Sequence, residues 1–152
     1  MEQRLLNNIE DCNANRKWQE SIDLFVSLTM SGVALSTRLG NAALLAYSKL
    51  SRADDAVALL AAMKEHGVTR DLDSFGRTIA ACMKAKEWEQ TLVVFAGLDA
   101  EELQPGTVLY NSALMACSNS AHPPSERLCI DLPYDCLFSF RAFLHEPNSA
   151  FK

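Results

Sequence analysis

The 152-residue chain lacks any apolar run long enough to cross a membrane. Its longest uninterrupted stretches, such as Ala56 to Met63, fall far short of the ~18 to 20 residues that a spanning helix needs. It also lacks a C-x-x-C pair. The five cysteines, Cys12, Cys82, Cys117, Cys129 and Cys136, are an odd number scattered along the chain. Disulfide frameworks show dense, even cysteines in shorter secreted chains, so reduced thiols are expected. Absent too are H-E-x-x-H, G-x-S-x-G and a Gly-rich phosphate loop. His66, His122 and His145 stand isolated, and the acidic pairs Asp54-Asp55 and Glu101-Glu102 read as solvated, exposed helix positions. No catalytic residue, metal set or cofactor site emerges, and the expectation is a protein that is not an enzyme. The opening Met1 to Leu6 has no signal-peptide apolar region. Glu2, Glu10 and Asp11 spoil an Arg-rich, acid-poor transit peptide, so any address is absent or lies upstream.

What is present is a globular composition. The apolar share of 49% and charged share of 22% exclude global disorder. Fourteen basic against nineteen acidic residues give a net charge of −5. That balance argues against a wholly basic nucleic-acid-binding surface but leaves room for a local basic stripe.

Shifting the chain by 35 residues aligns it with itself. Ile9, Leu44, Ile79 and Leu114 form one series; Cys12, Tyr47, Cys82 and Cys117 form a second; Phe25, Leu60 and Phe95 form a third. Trp18 and Trp88 lie two periods apart, and Gly32-Val33 returns as Gly67-Val68. Each unit holds two amphipathic helical patterns. First helices are expected at about Gln3 to Cys12, Leu39 to Lys49 and Phe75 to Lys84. Second helices are expected at Trp18 to Met30, Asp54 to His66 and Glu87 to Ala100. Asp54 and Asp55 suit a helix start, Lys64 a last turn, and Gly67 a left-handed stop. No convincing period-two strand appears. Two helices per unit cannot bury their apolar faces alone, but stacked units can. The expected fold is all-α, an α-solenoid of antiparallel helix pairs, with Ala46, Ala81 and Ala116 allowing close helix approach. The cysteines in the repeat read as core fillers, and Trp18 and Trp88 as wedges between units.

A 35-residue helix pair with Val108-Leu109-Tyr110-Asn111 opening one unit resembles the pentatricopeptide repeat. Matching landmarks are Phe75 and Tyr110, Asn41 and Asn111, Lys49 and Lys84, Ala56, Leu59-Leu60 with Met63, Gly67 with Asp71, and Pro105. The 34-residue tetratricopeptide repeat fits less well because its period slips by one residue per unit. The resemblance covers residues 2–121, as units 2–36, 37–71 and 72–106 and a partial unit 107–121. It implies single-stranded RNA as partner, in a mitochondrion or chloroplast, with one base facing each repeat. Base-facing positions carried over are Asn41 with Asp71, Gly76 with Gly106, and Asn111. The first pair resembles the uracil-favouring combination, the glycine pair has no side chains to read with, and Arg70 replaces an expected proline. Some plant relatives end in a zinc deaminase with H-x-E and P-C-x-x-C; His145-Glu146-Pro147 lacks that spacing.

Charge placement adds an independent reading. First-helix segments 37–50, 72–85 and 107–120 balance at +3, from Arg38, Lys49, Arg77 and Lys84 against Asp73. Second-helix segments 17–31, 52–66 and 86–101 balance at −5, while residues 2–13 balance at −2. Arg38, Lys49, Arg77 and Lys84 are therefore the candidate phosphate-facing residues, although lysines also favour helix C-termini for their own sake. After Asn119 the register fails, and residues 122–152 read as an irregular tail. The leading expectation is an RNA-binding helical-repeat groove. Its rival is a protein-interaction scaffold on the same fold without nucleic acid, and a fragment of a larger gene product also fits the sequence.

Overall fold

The computed structural model describes residues 2–119. Within them the chain is all helix, in seven elements: α1 (Glu2–Ala14), α2 (Trp18–Met30), α3 (Thr37–Lys49), α4 (Ala53–Glu65), α5 (Leu72–Ala85), α6 (Trp88–Ala100) and α7 (Thr107–Asn119). Odd-numbered helices start at residues 2, 37, 72 and 107, and even-numbered ones at 18, 53 and 88. The tail at 122–152, with Cys129, Cys136, His122 and His145, lies outside the described residues.

First helices begin earlier than the apolar stripe suggests, because polar caps precede it. Ser36 caps α3 by accepting from the Leu39 N–H. Asp71 caps α5 in a reciprocal capping box with Ser74. The expected starts at Leu39 and Phe75 therefore move to Thr37 and Leu72, while second-helix ends shift by one residue at most. Gly32 and Gly67 take positive φ of 78° and 67° just past α2 and α4. Behind each, a valine N–H reaches back to the helix, from Val33 to the Leu28 carbonyl and from Val68 to that of Met63. Both valines pack against the core, which completes the Schellman closure.

First helices end differently. Arg16, Ser51 and Lys86 occupy the left-handed region at φ of 60°, 56° and 63°, with no glycine to mark them. The next residue in each case donates to a carbonyl five residues back: Lys17 to Cys12, Arg52 to Tyr47, and Glu87 to Cys82. The same bond thus closes the turn between paired helices in all three complete pairs.

The odd helices pack directly on one another, α1 on α3, α3 on α5 and α5 on α7. Each even helix rests against the odd helices on either side of it, and no two even helices pack together comparably among the described residues. Ala46, Ala81 and Ala116 are fully buried and let the odd layer close up. Ile9, Leu44 and Ile79 fill matching interior positions, as do Phe25, Leu60 and Phe95. Cys82 is buried as expected and Cys12 is half-buried; Trp18 begins α2 and packs onto the core. The interior forms two apolar clusters. One is built from α1 to α4 and reaches Ala81; the other joins Leu60 to Phe75, Ile79, Val94, Leu98 and an edge-on Phe95–Tyr110 pair 5.4 Å apart.

Candidate nucleic-acid interface

The odd layer carries an open groove of about 590 Å³ that runs over α1, α3 and the start of α5. Glu10 and Asn13 come from α1; Arg38, Asn41 and Leu45 from α3; Asp71, Asp73 and Arg77 from the start of α5. Helical spacing explains the set, since residues 38, 41, 42 and 45 share one face of α3.

At the middle of the groove Asn41 and Asp71 meet. The Asn41 amide Nδ2 lies 3.1 and 3.2 Å from the two Asp71 carboxylate oxygens and donates to them. The Asp71 carboxylate also accepts from the Ser74 backbone N–H at 2.8 Å, as the cap of α5. Burial pushes the Asp71 carboxyl up, but bonds led by those from the Ser74 backbone and the Asn41 amide outweigh it and hold it below the ordinary carboxylate value. Asp71 is therefore an anion at neutral pH, shared between a helix cap and the groove.

The four cations have separate fates. Arg38 is held by Glu10 through two parallel bonds, Nε to Oε1 and Nη2 to Oε2, both 2.9 Å. Lys84 donates to the Ser48 carbonyl at 3.1 Å, tying the end of α5 to that of α3. Among the described residues, Arg77 on the groove wall and Lys49 at the exposed end of α3 have no bonding partner. Gly76 and Gly106 lie one unit on from Asn41 and Asp71 and are open to added side chains. A Cβ at Gly76 would touch the Leu109 side chain at 3.6 Å, and one at Gly106 would meet nothing within 4 Å. Asn111 is exposed on α7.

Three residues at or beside the groove escaped the sequence reading. Glu10 occupies the Arg38 fork. Asn13 is buried and donates to the Ala42 carbonyl at 3.0 Å, while its own Oδ1 finds no partner among the described residues. Ser74 bonds both Asn41 and Asp71. The spacing of Asp71 and Ser74 is a readable capping signal; the links to Glu10 and Asn13 span 28 and 29 residues and leave no local signature. One exposed acid also needs correction. Glu101 lies beyond α6 and is half-buried in an ion pair with Arg70. That guanidinium also stacks over the Phe75 ring, 5.2 Å from its centroid. Glu101 is thus a partner in packing and no solvated surface charge. Asp54 does stay exposed, accepting from Gln90 at 2.9 Å.

Among the described residues, no three His, Cys, Asp or Glu side chains cluster as a metal site requires. No helix there is long and apolar enough to cross a membrane. Paired helices laid side by side around a shared groove define an all-α protein of helical-repeat type. No family model matches the chain. Over 83 residues, 55% of its length, it is 30% identical to a pentatricopeptide repeat-containing protein of Arabidopsis thaliana. The match covers 15% of that relative's length.

Proposed function

We propose that the chain is a short α-solenoid of pentatricopeptide type, with residues 2–121 as its repeat array, and that its odd-helix layer binds single-stranded RNA. The observation that carries this reading is the Asn41–Asp71 pair at the middle of the groove. Asn41 keeps one Nδ2–H, and the Asp71 carboxylate keeps lone pairs, after their mutual bond is counted. A donor beside an acceptor complements a base edge that offers a carbonyl beside a ring N–H, as uracil does. Cytosine places an acceptor where that N–H should be and is disfavoured. Arg77 and Lys49 supply cations without partners among the described residues, and Arg38 and Lys84 lie on the same helices. The even 35-residue spacing of helix starts and the resemblance to the Arabidopsis protein support the same reading. Service in organellar RNA processing or expression, in a mitochondrion or chloroplast, follows from that resemblance.

One observation favours the rival scaffold. The groove's carboxylates, Glu10, Asp71 and Asp73, outnumber its guanidiniums, Arg38 and Arg77, which suits a basic peptide. Fluorescence anisotropy with a labelled twelve-nucleotide RNA at two salt concentrations separates the two readings. RNA binding that weakens with salt, and weakens further in Lys49→Glu plus Lys84→Glu, is the expected result. No binding at low salt, or indifference to the charge reversals, overturns the RNA reading.

A further inference from the structure

Ser74 is fully buried, does not line the groove, and lies directly behind the Asn41–Asp71 pair. Its Oγ is 2.6 Å from Asn41 Oδ1 and 2.8 Å from Asp71 Oδ1. A hydroxyl has one proton to donate. Asp71 Oδ1 already accepts from the Ser74 backbone N–H, whereas Asn41 Oδ1 has no other donor among the described residues. The hydroxyl proton is therefore better used on Asn41. An asparagine amide has two orientations of nearly equal shape, distinguished only by where its donors and acceptor find partners. Here Asp71 attracts the Nδ2 end and Ser74 holds the Oδ1 end. The reversed amide would set Oδ1 against a carboxylate and leave Ser74 facing two N–H groups.

We infer that Ser74, on the next helix pair, is a positioning residue for base selection: its hydroxyl fixes the Asn41 amide so that the groove is offered an N–H donor and never the carbonyl oxygen. This rests on the RNA reading above and adds a residue that never touches RNA. The capping box uses the Ser74 backbone N–H as donor and the hydroxyl oxygen as acceptor of the Asp71 N–H. Neither uses the hydroxyl proton, which is left to hold the amide. Without it the Asn41 amide is oriented by Asp71 alone, and the reversed amide, with its acceptor toward the groove, is populated more often.

The test compares oligouridine and oligocytidine twelve-mers at low salt against the full chain and Ser74→Ala, below both melting transitions. Alanine fits the serine site and keeps the backbone bond to Asp71. The full chain is expected to favour oligouridine by about tenfold, the scale of one hydrogen bond gained or lost. Ser74→Ala is expected to bring the ratio below about twofold. Proton NMR of the Asn41 side-chain amide, assigned by its loss in Asn41→Ala, gives a readout independent of RNA. The proton bonded to Asp71 is expected to be protected from solvent exchange in the full chain and to lose protection in Ser74→Ala. An unchanged base ratio in Ser74→Ala, with the full chain discriminating, overturns the role of Ser74 alone. A full chain that binds both equally overturns base selection and this role while RNA binding stands, and one that binds neither overturns the RNA reading and this role with it.

Discussion

The Glu10–Arg38 pair predicts a gain of function from removing a charge. Glu10 grips the Arg38 fork with both carboxylate oxygens at 2.9 Å, the geometry in which an arginine would hold a phosphate. Both side chains are about half exposed, at 59% for Arg38 and 40% for Glu10. The pair therefore contributes less than about 1 kcal/mol to folding, and Glu10→Gln should melt within a few degrees of the parent. Its effect on RNA should be larger. A carboxylate about 4 Å from a phosphate opposes it by about 1 kcal/mol in water, roughly fivefold in affinity. An arginine released to contact one more phosphate steepens the log–log salt slope by about 0.7 for a single strand, an extra loss of about 2.6-fold between 50 and 200 mM salt. Anisotropy titration with a labelled oligouridine at those two salts measures both quantities. Glu20→Gln makes the same change in net charge on α2, where Glu20 pairs with Lys17, and should alter affinity less than about twofold. Glu10→Gln binding no tighter than Glu20→Gln, or with an unchanged salt slope, would refute the idea that Glu10 stands in for a phosphate.

Three further outcomes follow from other positions. The Asp71 carboxyl lies below its ordinary 3.8 when folded, so its contribution is complete above that value and is lost as pH falls through the folded pKa. Thermal melts from pH 7 to 2.5 should accordingly show Asp71→Asn less stable at neutral pH and converging with the parent at the acid end. Burial pushes the Cys82 thiol up to about 11, so mass-spectrometric mapping after iodoacetamide at pH 8 should find Cys82 unmodified until denaturant is added, with half-buried Cys12 labelled before it. Gly76→Asn with Gly106→Asp should install a second reading pair without a clash at either Cβ and raise oligouridine affinity severalfold over oligocytidine, measured by the same titration.

The helix pairs were legible because buried positions recur at one interval and stay apolar. Ile9, Leu44 and Ile79, or Phe25, Leu60 and Phe95, mark the interior without any structure. Helix starts were less legible, since Ser36 and Asp71 act through side-chain oxygens two or more residues ahead of the first apolar landmark. The turns after α1, α3 and α5 were illegible in kind. Arg16, Ser51 and Lys86 hold a conformation normally signalled by glycine, and only the hydrogen bonds to Cys12, Tyr47 and Cys82 explain it. At the groove the sequence pointed to Asn41 and Asp71 but not to what holds them. The bond from Ser74 to Asn41 spans 33 residues, a separation at which local pattern carries no information. Asp71 was read for its outward role only, and its inward role as a cap is what brings Ser74 into the site.

The layering of the helices has a consequence for how such a chain arises and changes. Every extensive packing surface joins a helix to one in its own pair or the adjoining pair, so no part of the interior requires a distant stretch of sequence to be made first. Folding can spread outward from any pair, and loop closures stay short. The same locality means that a whole pair can be duplicated or deleted by recombination with only two junctions to satisfy, each closed by a turn of the kind that Gly32 and Gly67 already form in common. Groove length is thus an inheritable variable, adjustable one pair at a time, while the interior rule of each pair stays fixed.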